Sequence, residues 1–272
     1  MCEDDAVPRS GSSLGPGDVA RPAALMAIVP HPDDEAFGLG GVWSRLAAAG
    51  ERTVLITLTR GRGGRSLGLC PPERLGATRE AELREAAEVL GISCVHVLDH
   101  HDFVPDGDRG IPRDPGLQAV DPERIVPDLV RRLDADRPAA VVTFGPHGSN
   151  GHPDHVATHR LAHAALARAQ HRPRALYHYA GPEPFDGPAR DGFLTPDAIQ
   201  TGWRPPSHRI DLGKEELATK LRALACHRTQ ALSVLGFARR SADRLFQETF
   251  RRVDLAGEPV DPEGPARPVD RL

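Results

Sequence analysis

Two short turns in this sequence combine histidine with aspartate. His31-Pro-Asp-Asp-Glu35 follows an apolar run, and His152-Pro-Asp-His155 comes soon after another. Pro32 fixes its own φ and biases the preceding His31 towards extended backbone, so His31 belongs to the end of a strand. The acidic residues behind it fall in the first turn of a helix, where carboxylates also cap free N–H groups. Capping does not explain the histidine, so the two turns predict one metal site built from two loops.

The spacing within these turns suits a catalytic zinc site, which needs three protein ligands and an open position for water. His31 and Asp34 are three residues apart, so both can reach one ion. Asp33 must point elsewhere, because successive side chains on one turn diverge. It is then free to act as a base on the metal-activated water. In the second turn, His152 and His155 compete for the third ligand position.

A histidine stripe follows the second turn. His155, His159 and His163 recur every four residues, which places them on one face of a helix. This stripe is another possible ligand set. For His159 and His163, a surface or hydrogen-bonded role is favoured, because neither belongs to a paired motif.

Length and composition describe a globular chain. Its 272 residues are 39% hydrophobic and 26% charged, enough for one large α/β domain or two small ones. The net charge of −4 gives no electrostatic case for nucleic acid as a partner. No apolar run approaches the roughly 20 residues of a membrane span. The acidic N-terminus has no apolar signal segment and the cysteines form no C-x-x-C pair, which favours a cytoplasmic protein.

Short apolar runs alternate with helix-like segments along the chain. Strands are predicted at 24–29, 52–59, 94–98, 139–144, 175–179 and 208–212, and helices at 36–49, 78–90, 121–133, 154–169 and 214–226. This alternation predicts a Rossmann-like α/β fold, with a doubly wound, mostly parallel sheet between two layers of helices. If the strand order is 3-2-1-4-5, strands 1 and 4 meet at the topological switch point, where ligands bind. Both His-Pro-Asp turns then lie in one crevice.

Several segments carry a family resemblance. His31–Glu35 with Gly40-Gly41, and Gly151–His155, are similar to the two signature motifs of the PIG-L/LmbE-like N-acetylglucosaminyl deacetylases. Weaker similarities at Leu58–Gly61, Arg79–Gly91 and Ala225–Gln230 extend the resemblance over roughly residues 24–230. We therefore expect a deacetylase domain at 22–254, between a disordered leader at 1–21 and a flexible tail at 255–272.

The resemblance implies a role for each residue of the two turns. One divalent ion, zinc or alternatively iron(II), would be bound by His31, Asp34 and His155. Asp33 would be the general base and would later carry a proton to the leaving amine. His152 would stabilise the oxyanion as an imidazolium, and Asp154 would orient a histidine ligand.

The resemblance also implies a substrate. The enzyme would remove an acetyl group from an N-acetylglucosamine-type amino sugar or its conjugate, and a different N-acyl substrate, such as a thiol-sugar conjugate or an antibiotic intermediate, is the alternative. Arg79 and Asp102 match positions that contact the sugar or neighbouring groups, although Asp99 could take the place of Asp102. Arg62 stands where many relatives carry an acid. Specificity is expected in the loops 61–77, 99–120 and 181–207, and the sequence leaves the oligomeric state open.

Three rival interpretations come from other classes. Two histidines and a carboxylate also describe a non-haem iron oxygenase, but the β/α alternation does not predict the barrel that such a site would need. The loop Gly61–Ser66 follows a strand as in nucleotide-binding proteins, yet it lacks a third glycine and a helix start, so a basic rim around a pocket is favoured. A sugar-binding protein without catalysis would have no need of Asp33.

Overall fold

An eight-stranded sheet lies at the centre of the computed structural model, which describes residues 21–105, 113–260, 266–269 and 272. Its strands are β1 (Leu25–Val29), β2 (Thr53–Thr59), β3 (Cys94–His100), β6 (Ala140–Phe144), β7 (Ala175–Tyr179), β8 (His208–Asp211), β9 (Gln247–Val253) and β10 (Arg267–Pro268). Two short strands, β4 (Phe103–Val104) and β5 (Asp114–Pro115), pair separately. The helices are α1 (Asp34–Ala48), α2 (Leu75–Leu90), α3 (Val126–Asp136), α4 (Gly148–Gly151), α5 (Pro153–Arg168), α6 (Pro196–Gly202), α7 (Lys214–Cys226), α8 (Ala231–Arg240) and α9 (Asp243–Phe246).

The parallel part of the sheet has the order β3-β2-β1-β6-β7. These are the first five predicted strands in the order 3-2-1-4-5, so the fold class and the switch point between β1 and β6 are confirmed. Every residue of β1 and β2 is buried, because helices cover both faces. Alternate residues of β1 accordingly enter different cores: Leu25 and Val29 pack with α1, α2 and α7, whereas Met26 and Ile28 pack with α3 and α5.

The C-terminal part of the sheet contains antiparallel pairs and differs from the prediction. The sequence predicts β8 but not β9, which lies antiparallel between β7 and β8. Glu248 and Arg251 are buried within β9, so its pattern does not look apolar. Arg267 and Pro268 of β10 pair with β8, so part of the segment predicted as a tail belongs to the sheet. The predicted leader, apart from Arg21, lies outside the described residues.

Helix boundaries follow local sequence signals with small shifts. Helices α1 and α2 end before Gly50 (φ 69°) and Gly91 (φ 71°), as predicted. Helix α2 begins at Leu75, three residues before the predicted start at Thr78, whose Oγ1 donates to the carbonyl of Arg74 at 3.0 Å. The predicted helix at 121–133 is a 3₁₀ turn followed by α3.

Glycine in α1 permits close packing rather than flexibility. A Cβ added at Gly38 would lie 2.1 Å from the ring of Tyr179, and one at Gly40 would lie 2.6 Å from the side chain of Lys220. The helix can therefore approach its neighbours only because these residues lack side chains. This close approach holds the N-terminal turn of α1 against the carboxyl end of the sheet.

Among the described residues, no helix combines the length and the apolar character required to cross a membrane.

Candidate active site

The predicted site residues come together at the carboxyl ends of β1 and β6. His31 and Asp33 follow β1, Asp34 begins α1, His152 caps α5 and His155 lies in the first turn of α5. All five line one cavity of about 980 Å³, together with Arg79 and Asp102. The structure thus brings into one crevice the residues that the two sequence motifs supply.

His31, Asp34 and His155 form a compact set of donor atoms. One nitrogen or oxygen of each lies within 4.8 Å of those of the other two. The two Asp34 carboxylate oxygens lie 3.5 Å from His31 Nδ1 and 3.6 Å from His155 Nε2. Two imidazoles and a carboxylate are the donors that zinc and iron(II) accept in catalytic sites. The donor set therefore fits the metal expected from the sequence.

In both histidines of the donor set, the ring nitrogen that faces away from Asp34 is hydrogen-bonded to the protein. His31 Nε2 donates to Asp154 Oδ2 at 3.1 Å, and His155 Nδ1 donates to the carbonyl of Gly148 at 3.1 Å. Such hydrogen bonds fix the tautomer and the direction of a ligand. They leave His31 Nδ1 and His155 Nε2 turned towards Asp34.

Asp154 is a fully buried carboxylate at the start of α5. Besides the His31 ring, it accepts hydrogen bonds from the backbone N–H groups of Phe103 at 2.7 Å and Leu117 at 2.8 Å. These bonds connect the loop around β4 to the site. The prediction that Asp154 could orient a histidine corresponds to an observed contact with His31, and its role in metal binding stays a prediction.

Asp33 lies beside the donor set but outside it. Its backbone has φ 114° and ψ −29°, a conformation that side-chain-bearing residues rarely adopt. The carboxylate contacts Arg79 Nη2 at 3.2 Å. Burial raises the pKa of Asp33 to about 7, although the Arg79 guanidinium opposes the rise. A carboxyl group with a pKa near neutrality can both accept and return a proton.

A buried pair that sequence reasoning did not assign supports this turn. Glu35 Oε2 accepts a hydrogen bond from the backbone N–H of Asp33 at 2.9 Å, and Glu35 Oε1 accepts one from His227 Nε2 at 2.6 Å. Both side chains are completely buried. The only sequence signal was the resemblance at Ala225–Gln230, which contains His227 but does not indicate its partner.

His152 lines the cavity with its ring close to both histidines of the donor set, at centroid distances of 4.8 Å from His31 and 4.9 Å from His155. Its Nδ1 accepts a hydrogen bond from the backbone N–H of Asp154 at 3.1 Å, so the proton of the neutral ring resides on Nε2. Burial, together with His31 and His155, lowers the pKa of His152 well below its ordinary value. The imidazolium expected from the sequence is therefore not the form that this environment favours.

Arg79 and Asp102 both line the cavity and also contact the protein, and their expected contacts with a sugar stay predictions. Arg79 donates to the carbonyls of Gly61 at 2.8 Å and of Pro32, and it also contacts Asp33, so it holds the turn and the glycine-rich loop together. Asp102 Oδ2 accepts from Gly63 N–H at 3.1 Å.

One Asp102 oxygen has no hydrogen-bond partner within the described structure. Asp102 Oδ1 is buried and has no hydrogen-bond partner among the described residues. Asp99, the alternative, is half-exposed and pairs with Arg62 and Arg60 instead. Asp102 lines the cavity, whereas Asp99 pairs with arginines, and the choice between them as a sugar contact stays a prediction.

A second histidine cluster differs from the predicted stripe. His159 and His163 of α5 lie beside His178 of β7, and donor atoms of the three rings lie within 4.8 Å of one another. His155 belongs to the first donor set instead. Burial lowers the pKa of all three rings, to about 4 for His159 and about 2 for His178.

Comparison with known proteins identifies the family. The family described as PIG-L, GlcNAc-PI de-N-acetylase, matches residues 26–166. The 1D-myo-inositol 2-acetamido-2-deoxy-alpha-D-glucopyranoside deacetylase of Corynebacterium glutamicum (strain R) is 31% identical over 225 residues, which cover 76% of this chain and 75% of the relative. The protein of the same name from Nakamurella multipartita is 30% identical over 284 residues, covering 90% and 92%. The chain belongs to the PIG-L family, as its motifs predicted.

Solved structures share the fold. The conserved protein TT1542 of Thermus thermophilus superposes with a TM-score of 0.60 at 27% identity, covering 84% of this chain and 93% of that one. The N,N'-diacetylchitobiose deacetylase of Pyrococcus horikoshii has a TM-score of 0.61 at 20% identity, with 88% of each chain covered. The second likeness supports the α/β architecture alone.

Proposed function

We propose that this protein is a zinc-dependent N-deacetylase that hydrolyses the acetamide of an N-acetylglucosamine-type sugar or its conjugate. The observation that carries the proposal is the position of Asp33: a buried carboxylate that lies beside the donor set of His31, Asp34 and His155 without being part of it. A site that only bound metal or sugar would not require a carboxylate that has a strained backbone and lies outside the donor set. Family membership and the deacetylase names of the relatives support the same conclusion.

The metal would be bound by His31, Asp34 and His155, with iron(II) as the alternative to zinc. When bound, such an ion lowers the pKa of a water towards about 7 and polarises the amide carbonyl. Burial alone would raise the pKa of Asp34, but His155 and His31 hold it below its usual range. Asp34 is thus a carboxylate at neutral pH and can bind a cation without first losing a proton.

Asp33 acts as the base and then as the acid. Its carboxylate accepts a proton from the attacking water as the water oxygen bonds to the carbonyl carbon. When the C–N bond breaks, Asp33 returns that proton to the departing amine, so that acetate and a free amino sugar are released. Arg79 keeps the Asp33 carboxylate in position through their 3.2 Å contact, and Glu35 holds the backbone of the turn.

His152 supplies a hydrogen bond to the oxyanion. Because its Nδ1 accepts from Asp154 N–H, the neutral ring presents its proton on Nε2. A donor fixed before the reaction stabilises developing charge without reorganisation. This role does not require the imidazolium that the sequence interpretation assumed.

The size of the cavity supports a conjugate as the substrate. A volume of about 980 Å³ is at the upper end of ordinary ligand pockets, larger than one sugar ring requires. The names of the relatives point to an inositol-linked N-acetylglucosamine. Asp102, which lines the same cavity, would accept a hydrogen bond from a sugar hydroxyl.

A substrate comparison tests the proposal. Purified protein loaded with zinc is incubated with 1D-myo-inositol 2-acetamido-2-deoxy-α-D-glucopyranoside and, separately, with free N-acetylglucosamine. We expect equal amounts of acetate and primary amine, with a higher kcat/KM for the conjugate. Protein that binds one equivalent of zinc at its first site but releases no acetate from any N-acetylated amino sugar would contradict the proposal.

A further inference from the structure

The cluster of His159, His163 and His178 is not used by the proposed reaction. His159 and His163 lie one turn apart on α5, with ring centroids 4.4 Å from each other. His178 on β7 faces both, at centroid distances of 5.1 Å from each. Two adjacent elements of the fold therefore direct three imidazoles to one point.

Backbone carbonyls anchor two of the rings from behind. His159 Nδ1 donates to the carbonyl of Phe144 at 3.0 Å, and His163 Nδ1 lies 3.4 Å from the carbonyl of Leu255. As in the first donor set, these contacts occupy one nitrogen and leave the other, Nε2, for the cluster. Carbonyl-anchored histidines are a common arrangement in metal sites.

Hydrogen bonding within the trio accounts for only part of this geometry. His163 Nε2 and His178 Nε2 are 2.9 Å apart, so one donates to the other. In the described structure, His159 packs against both rings without a hydrogen bond to either. A simple hydrogen-bonded pair would not require the third imidazole.

We propose that His159, His163 and His178 form a second divalent-metal site, separate from the proposed catalytic centre. The donors are three imidazoles, which suit zinc, cobalt, nickel and copper, whereas magnesium and calcium prefer oxygen ligands. At a Zn–N distance of about 2.0–2.1 Å, tetrahedral ligand nitrogens lie about 3.3–3.4 Å apart. The 2.9 Å pair of His163 and His178 therefore needs to open by only about 0.4–0.5 Å.

An ion can reach this site from the main cavity. His178 lines that cavity, as do Gly145 and Gly257, which lie beside the rings of His178 and His163. The ring of Phe144 packs on His155 with centroids 4.1 Å apart, while its carbonyl anchors His159. The second site is thus next to the first but separated from it by Phe144. A bound ion would connect α5 with β7 and restrain the His163 ring beside the backbone of Leu255.

Metal stoichiometry of the full-length protein tests this proposal without relying on activity. Metal-free protein is dialysed to equilibrium against Zn²⁺ and, separately, Co²⁺, and bound metal is measured by elemental analysis. We expect two ions in the wild type, one in His155→Ala, one in His163→Asn and none in the double variant. The His101→Ala protein, which changes an exposed histidine on a loop, should bind two.

The spectrum of Co²⁺ distinguishes the sites further. In His155→Ala, where only the second site remains, we expect a cobalt absorption spectrum with nitrogen-dominated, tetrahedral character. His178→Gln provides a second removal of the site if His163→Asn proves unstable, and circular dichroism checks the fold of each variant. One ion in the wild type with none in His155→Ala, or two ions retained in folded His163→Asn and His178→Gln, would overturn the proposal. Deacetylation by the His163→Asn protein is a separate readout, so failure of the second site and failure of the proposed function are distinguishable.

Discussion

Two histidine clusters lie at neighbouring positions of α5, and they differ in their carboxylates. In the first, Asp34 completes the donor set, Asp154 holds the His31 ring and Asp33 lies alongside. In the second, backbone carbonyls contact His159 and His163, and no carboxylate belongs to the described trio. Geometry alone would allow both to bind a metal. The proposed hydrolysis would require, in addition, a carboxylate that is close to the ion yet free to exchange a proton, and of the two described clusters only the first has one.

The same difference sets the charge of the rings. Burial alone would lower the pKa of His31, but hydrogen bonds to Asp154 and Asp34 raise it to about 10. In the second cluster burial prevails, and the pKa of His178 falls to about 2. Before metal binds, the His31 ring of the first cluster therefore carries an additional proton and a positive charge at neutral pH, whereas the rings of the second cluster are neutral.

Replacing Asp33 should have the largest effect, because it removes the feature that the second cluster lacks. We expect Asp33→Asn to keep zinc at the first site and to lose about 10²–10⁴-fold in kcat, the range for a general acid–base group. Steady-state acetate release and metal analysis on the same sample measure both quantities, with Glu88→Gln at an exposed position of α2 as the matched control. Wild-type kcat in Asp33→Asn would mean that the base lies elsewhere.

The first cluster was predictable from sequence because its determinants are local. The first His-Pro-Asp turn directly follows a predicted strand, the second follows another after a short loop, and the parallel pairing of β1 with β6 brings the turns together. The assignment of individual roles to His31, Asp34 and His155 stays a prediction, although the structure places their donor atoms together.

Other parts of the molecule depend on contacts between distant segments, which sequence periodicity does not reveal. His178 joins His159 only once β7 lies beside β6, and Glu35 meets His227 across 192 residues. Strand β9 was missed because its buried residues include charges, such as Glu248, whose partner Lys220 is 2.9 Å away on α7. A buried ion pair satisfies both charges but erases the apolar pattern from which a strand is predicted.

Removing the His152 ring tests the oxyanion role. We expect His152→Ala to lose about 10²–10³-fold in kcat, typical for one oxyanion donor, with zinc still bound by the first cluster. Because the neutral ring is the donor, the basic limb of the pH profile should persist in His152→Ala. A basic limb that disappears in the variant would restore the imidazolium interpretation drawn from the sequence.

Replacing Asp154 makes the first cluster more like the second, because it removes the carboxylate that is hydrogen-bonded to the His31 ring. In Asp154→Asn, the hydrogen bond to His31 Nε2 loses its charge, and we expect zinc affinity to fall about 10–100-fold, as for other residues that orient ligands. Competition with a chromophoric chelator measures this change. The two backbone N–H bonds to Asp154 require a check of the fold, so near-ultraviolet circular dichroism accompanies the assay. Unchanged affinity in the folded variant would show that the carboxylate does not tune the site.

The metal affinities of the two clusters should depend differently on pH. Since the pKa of His31 is about 10 in the metal-free protein, its Nδ1 must lose a proton when metal binds, and the affinity of the first site should rise as pH rises. Between about pH 7 and 8.5 one released proton gives about a tenfold gain per pH unit. The rings of the second cluster are already neutral in that window, because burial lowers the pKa of His159 and His178 to about 4 and about 2, so its affinity should stay nearly constant.

Chelator competition on His163→Asn isolates the first site, and the same titration on His155→Ala isolates the second. Equal slopes for the two variants would mean that Asp34 and Asp154 do not hold a proton on His31, and that the electrostatic difference between the clusters does not govern how they take up metal.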